Sequence, residues 1–236
     1  MAGDETQAPS SRLRTTSSEP PFAQILATEH WSLLATRGMT WNEIFSRTGT
    51  FLTALSANVV ALSLVANATD FGDAFTTFAL TTLPVVLLLG CATYLRLIEA
   101  DIEDAWLVIG MNRIRHAYLE LAPELEPYFV AGHHDDPAGL LQTYSFRRRI
   151  GPGHWISGSP VLVGVIDAVL TGVLAGVVAD SFDAPTAVAN VVGVVVALLA
   201  AAVLGYTGLR RVRGVARRYV PRFPQSEPDP DRWARD

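Results

Sequence analysis

Four stretches of this chain stay apolar for long enough to cross a lipid bilayer, and they constrain everything else it can be: residues 49–68, 74–98, 160–179 and 185–209. No arginine occurs between Phe51 and Tyr94 or between Ile156 and Gly208. A helix of about 20 apolar residues matches a hydrocarbon core of about 30 Å. No water is present there to satisfy the backbone, so each stretch must be helical. The chain is therefore expected to be an all-α integral membrane protein, with four transmembrane helices in two hairpins and a helical cytoplasmic segment between them. Composition agrees, because only 17% of the 236 residues are charged, against about 25% in ordinary soluble domains. With a mean hydropathy of +0.28, a disordered or nucleic-acid-binding chain is excluded as the whole account.

Arginine sets the expected orientation. All 18 residues of the Lys/Arg class are arginine, and none lies in the turns around residues 67–73 and 180–183. They sit in the N-terminal arm, the middle segment and the C-terminal tail, which the positive-inside rule assigns to the cytoplasm. The absence of lysine, with so much Ala, Gly and Val, reads as GC-rich bacterial coding. The expected location is the bacterial cytoplasmic (inner) membrane, with both termini cytoplasmic. The polar start has no apolar run behind a basic one, so no cleaved signal peptide is expected. Cys91 is the sole cysteine, which removes intrachain disulfides, CxxC redox pairs and thiolate zinc sites. Residues 1–19 and 225–236, rich in Ser, Pro and acid, are expected to be disordered.

Helices in lipid approach closely through small residues rather than through a hydrophobic drive. The third span carries Gly164, Ala168, Gly172 and Gly176 at spacing four, and the fourth carries Ala189, Gly193, Ala197, Ala201 and Gly205. These stripes predict backbone-close packing. The first two spans hold hydroxyls and amides instead, Thr53, Ser56 and Asn58 among them, which either join helices or line a wet path. Asp167 is the sole acid of the third span, on the side of Gly164 and Ala168, so it should face protein. Counting about 1.5 Å per residue from the span ends puts it near the depth of Asn58, and the two are a candidate intramembrane polar pair. A carboxyl in that setting is a functional hypothesis by default; the bland reading is a satisfied packing residue. The outer turns Ala68–Ala74 and Ala179–Ala184 look alike, which a hairpin duplication would produce, though two short acidic turns more readily agree by chance.

Outside the spans, residues 20–39 read as a separate helix. Thr40-Trp41-Asn42-Glu43 has the form of a capping box that starts the first membrane helix, placing that hairpin at 40–98. The second span should run on as a helix to Leu121, within a middle segment of 99–159. It carries two apolar stripes there, Ile98-Ile102-Ala105-Ile109 and Leu107-Met111-Ile114-Tyr118-Leu121, hence two partners. One is the N-terminal helix; the other is a neighbouring subunit or the 136–144 segment. Glu99, Asp101, Glu103 and Asp104 form an acidic collar. After the second hairpin (160–209), residues 210–224 read as a basic amphipathic helix. Arg210, Arg211, Arg213, Arg217 and Arg218 would contact anionic lipid or pair with the collar.

Little catalytic chemistry is visible. His133-His134-Asp135-Asp136 is the one cluster resembling metal ligands, and an Asp capping a short helix at Pro137 explains it more simply. Asp70-Phe71-Gly72 lacks every companion of the kinase motif it spells. No metal, cofactor, nucleic-acid partner or enzymatic activity is expected. The run from Asn112 to Glu126, followed by Tyr128-Phe129 and His134-Asp135-Asp136, resembles a family of uncharacterised four-span membrane proteins from high-GC bacteria. That resemblance implies topology and no activity. The expected function is a non-enzymatic oligomeric module that gates or relays a signal. The alternatives are a scaffold or partner subunit that binds another protein through the cytoplasmic helix continuing from the second span and, behind these, a small transporter.

Overall fold

The computed structural model describes residues 20–145 and 158–225. Expectations for residues 1–19, for the 146–157 part of the middle segment and for the tail beyond 225 lie outside the described residues. Helix α1 runs over Pro20–Thr69 and α2 over Asp73–Leu121. A 3₁₀ turn over Pro123–Tyr128 and the short helix α3, Pro137–Ser145, follow. Helices α4, Ser159–Asp180, and α5, Thr186–Arg218, complete the chain. No strand occurs among the described residues. Helices α1, α2, α4 and α5 are each long and apolar enough to cross a membrane.

The N-terminal helix and the first span are one element, not two. Thr40 does not act as a cap: its hydroxyl donates back to the Thr36 carbonyl at 3.2 Å, as a hydroxyl inside a helix does. Without proline after position 21, nothing in the sequence of α1 breaks the ladder. Its 50 residues span about 75 Å at about 1.5 Å each. Helix α2 is nearly as long and carries Pro84 inside it. The turn between them uses left-handed backbone at Asp70 (φ 47°) and Phe71 (φ 59°) rather than at Gly72. The turns 70–73 and 180–184 lie side by side, because residues of both line one open polar groove.

Each step along α1 is matched by a step back along α2: Leu33 meets Gly110, Arg37 meets Asp104, Glu43 meets Arg96, and Phe51 meets Gly90. Helix α4 then packs on α2, and α5 packs on α4 with a smaller contact to α2. The core lies along this seam, with Phe51, Leu83, Tyr94, Leu97 and Val163 buried in it. Outward-facing Val60, Leu88, Val169, Val194 and Leu198 stay exposed, as lipid-facing residues would be.

The small-residue stripes serve two partners in succession. A spacing of four advances a helix by about 40° per step beyond a full turn. Gly164 accordingly faces Tyr94 of α2, while Gly172 has turned toward α5. A Cβ on Gly172 would meet the Gly193 carbonyl at 2.5 Å and the Ala197 Cβ at 2.7 Å. Ala168 is buried, and Gly176 lies 3.6 Å from the Ala189 carbonyl by the same measure. The same rotation carries Ala201 and Gly205 off the seam. Both are exposed, Gly205 has nothing near it, and Gly208 takes over against Tyr94 and Ile98.

Candidate functional site

Three fully or almost fully buried carboxylates, Asp167, Asp104 and Asp135, mark the places where polar chemistry has been drawn inside. Asp104 sits on the part of α2 that α1 follows toward its N-terminus. Arg37 Nε donates to Oδ1 at 2.7 Å, Trp41 Nε1 donates to Oδ1 at 3.1 Å, and the Tyr144 hydroxyl donates to Oδ2 at 2.5 Å. One carboxylate thus joins α1, α2 and α3. Burial, and then the Asp104 charge beside it, push the Tyr144 hydroxyl well above its ordinary range, so it remains a donor. Nearer the spans, Arg96 pairs with Glu43 at 2.9 Å and with Glu103 at 2.9 Å. Arg96, helped by Arg47, holds the Glu43 carboxyl down at about 2.

Beyond Asp104, Asn112 is fully buried and bonded at both ends of its amide. Its Nδ2 donates to the His134 carbonyl at 2.8 Å, and its Oδ1 accepts from Arg115 at 2.8 Å and Thr143 at 2.9 Å. Along this extension α2 meets α1 as well as the 3₁₀ turn and α3 of the same chain; Ile98, Ile109, Met111 and Ile114 of its two stripes are buried, while Leu121 stays exposed. Asp136 Oδ1 accepts the Gly139 N–H at 2.8 Å and so caps α3. Among the described residues no group of three His, Cys, Asp or Glu side chains is placed to hold a metal ion.

Asp135 holds down the end of the chain. Past Arg218 the backbone leaves the helix, and residues 219–225 run as a strap across the His134–Asp136 loop. Asp135 accepts the N–H of Arg222 at 2.9 Å and of Phe223 at 2.8 Å, together with Arg113 Nε at 2.8 Å. Asp136 accepts the Gln225 N–H at 2.9 Å. The Tyr219 hydroxyl donates to the Asp135 carbonyl at 2.7 Å, and the Phe223 ring stacks on His116 with centroids 4.4 Å apart. Burial opposes charge on Asp135, but the Arg222 N–H, the Arg113 guanidinium and the Phe223 N–H outweigh it and hold the carboxyl at about 2.

The separate helix over 210–224 is thus not formed. Helix α5 continues straight through Arg210, Arg211, Arg213, Arg217 and Arg218, and stops there. Arg211 reaches Glu99 of the collar at 3.2 Å, and Arg210 lies over the Tyr206 ring. The strap itself was missed. Its available signal was Pro221 and Pro224, which helices tolerate poorly and which push the residue before each toward extended backbone.

Asp167 is different in kind. It is 0% exposed, and neither carboxylate oxygen has a hydrogen-bond partner. Asn58 Oδ1 is likewise buried without a partner, so the expected pair is not bonded. The α1–α2 register explains this. Asp167 lies level with Phe51 and Gly90, and Asn58 is seven residues, about 10 Å, further toward the 70–73 turn. Gly90 makes the space: a Cβ there would overlap Asp167 Oδ1, with Cγ and the Phe51 ring both 2.8 Å away.

No family model, curated protein or solved structure matches this chain. The fold and site define its class, a multi-pass, all-helical membrane protein in which two helices run far past the apolar segment into an ion-paired knot.

Proposed function

We propose that this chain is a non-enzymatic, oligomeric module of the bacterial cytoplasmic membrane that gates or relays through α2. Both termini and the middle segment then face the cytoplasm, in keeping with the arginine distribution. On this reading Arg210, Arg213, Arg217 and Arg218 lie near anionic headgroups, and the likeness to four-span proteins of high-GC bacteria is one of descent.

The observation that supports it best is the continuity of α2. Its 49 residues reach about 74 Å, well beyond a core of about 30 Å. The same rod packs on α1 and α4 beside Asp167, then carries Asp104, Asn112 and Arg113 into the polar knot. A small shift or rotation within the membrane moves the far end with it, the usual means by which packed helices transmit a change.

The test is dye release or ionic current from lipid vesicles containing the purified chain. Wild type should leak, and Asp167→Ala should leak less. Wild-type vesicles as tight as empty ones would exclude gating. The exposed apolar residues on the N-terminal part of α1 favour a scaffold or partner subunit as the second reading: Ile25, Trp31 and Met39 are 65%, 70% and 73% exposed. It requires one stoichiometric co-purifying partner, lost on Trp31→Glu.

A further inference from the structure

Asp167 is the one buried carboxylate described here for which the fold supplies no donor. Asp104 and Asp135, equally buried, each collect three or more. The groups around Asp167 are on the page. Helix α2 offers Gly90, and Cys91 and Tyr94 are its nearest titratable side chains. The Tyr94 hydroxyl already donates to the Leu204 carbonyl at 2.6 Å. Helix α1 brings the Phe51 ring, and between Arg47 and its end it has no charged residue. Helix α5 has no acid or base before Arg210 other than Tyr206. Among the described residues, the first cations met along α1, α2 and α5 from the level of Asp167 toward the polar knot are Arg47, Arg96 and the Arg210–Arg211 pair; Arg47, Arg96 and Arg211 are engaged with Glu43, Glu103 and Glu99, and Arg210 lies over the Tyr206 ring.

A carboxylate charge in such a place is cut off from bulk solvent, with no donor or cation beside it among the described residues, and burying it is far costlier than burying the neutral acid. A metal cation is a poor alternative, since hard cations need about six oxygen ligands and Asp167 stands without a second carboxylate. A proton needs only the one oxygen. The notch at Gly90 holds the carboxyl tightly, so the group cannot swing away to reach water while α2 and α4 stay together. We propose that Asp167 is a proton-binding site, and that the proton it holds allows α4 to close on α2 at Gly90. Loss of the proton then parts the two helices. This supplies an input for the relay suggested above but does not depend on it.

Infrared spectra of the full chain in lipid vesicles, taken from about pH 5 to about pH 9, read the proton directly through the C=O stretch of a neutral carboxylic acid. At neutral pH the wild-type chain should show this band and Asp167→Asn should lack it. Gly90→Ala, whose new methyl displaces the carboxyl from its notch, should lose it at lower pH than wild type. In detergent, the wild-type unfolding midpoint should fall as pH rises through the range where the band disappears, while that of Asp167→Asn stays level. Spectra of wild type and Asp167→Asn that coincide throughout would overturn the site, and midpoints that move in parallel would overturn the coupling. Neither readout uses vesicle leak, so a failure of the gating reading is seen separately.

Discussion

At the scale of single residues, three aspartates differ in what their neighbours supply. Asp104 and Asp135 keep their charge because helices and strap converge on them with N–H and O–H donors, whereas Asp167 meets glycine and a phenyl ring. The strap site has a pH dependence whose sign can be worked out. Burial, then the neighbouring His134 and His116, lower His133 from 6.5 to about 4. Between those values the unfolded chain takes up a proton on His133 that the folded one refuses, so the fold around the His116–His133–His134 cluster, on which Phe223 stacks, loses stability as pH falls from 6.5 toward 4. Asp135, lowered from 3.8 to about 2, adds a second loss only below that range. Hydrogen exchange at the Arg222 and Phe223 amides should therefore quicken, relative to the intrinsic rate, in two stages on acidification. His133→Asn should remove the first stage alone. Unchanged protection of the wild-type amides from pH 6.5 to pH 4 would show that the histidine cluster does not govern the strap.

Among the elements, the α4–α5 seam shows how far a sequence pattern reaches. Spacing four runs through Gly164, which lies against Tyr94, and through Gly172, Gly193 and Ala197, where α4 and α5 come closest. Continued to Ala201 and Gly205, it overruns the helical repeat by about 40° a step and leaves the seam for the exposed face. Two substitutions separate the cases. Gly172→Val forces side-chain atoms into the Gly193 carbonyl and Ala197, and should lower stability by about 1–3 kcal/mol, the ordinary range for overpacking. Gly205→Val has open space and should stay within about 0.5 kcal/mol of wild type. Unfolding of the purified chain in mixed micelles measures both, and equal effects would mean that the seam does not run where the geometry puts it. The polar sites were less legible for a related reason. Asn58 and Asp167 were matched by depth from the span ends, yet pairing depends on the register between α1 and α2, which Phe51, Gly90 and the Arg37–Asp104 pair set together. Asp104 read only as one acid among four, since nothing local reveals that Arg37, Trp41 and Tyr144 will meet there.

For the whole molecule, the spans were legible because twenty apolar residues in a row leave few alternatives, while joined helices and the returning strap depend on contacts distant in sequence. One consequence concerns the two ends of the bundle. The acidic turns 70–73 and 180–184 lie together at one end. The extension of α2, the N-terminal part of α1, α3, and the strap after α5 are tied to one another by hydrogen bonds and ion pairs beyond the other end. Moving so large a polar assembly through lipid is prohibitive, so the chain should insert in a single orientation, and the arginines should keep that end in the cytoplasm. In a Cys91→Ser background, a cysteine at Phe182 should react with an impermeant maleimide on intact cells. A cysteine at Met39, 73% exposed on α1, should react only after the membrane is opened. The reverse pattern would invert the proposed topology, and labelling of both sites on intact cells would mean that the chain inserts both ways. Either result would remove the cytoplasmic placement on which the proposed relay to the polar knot rests.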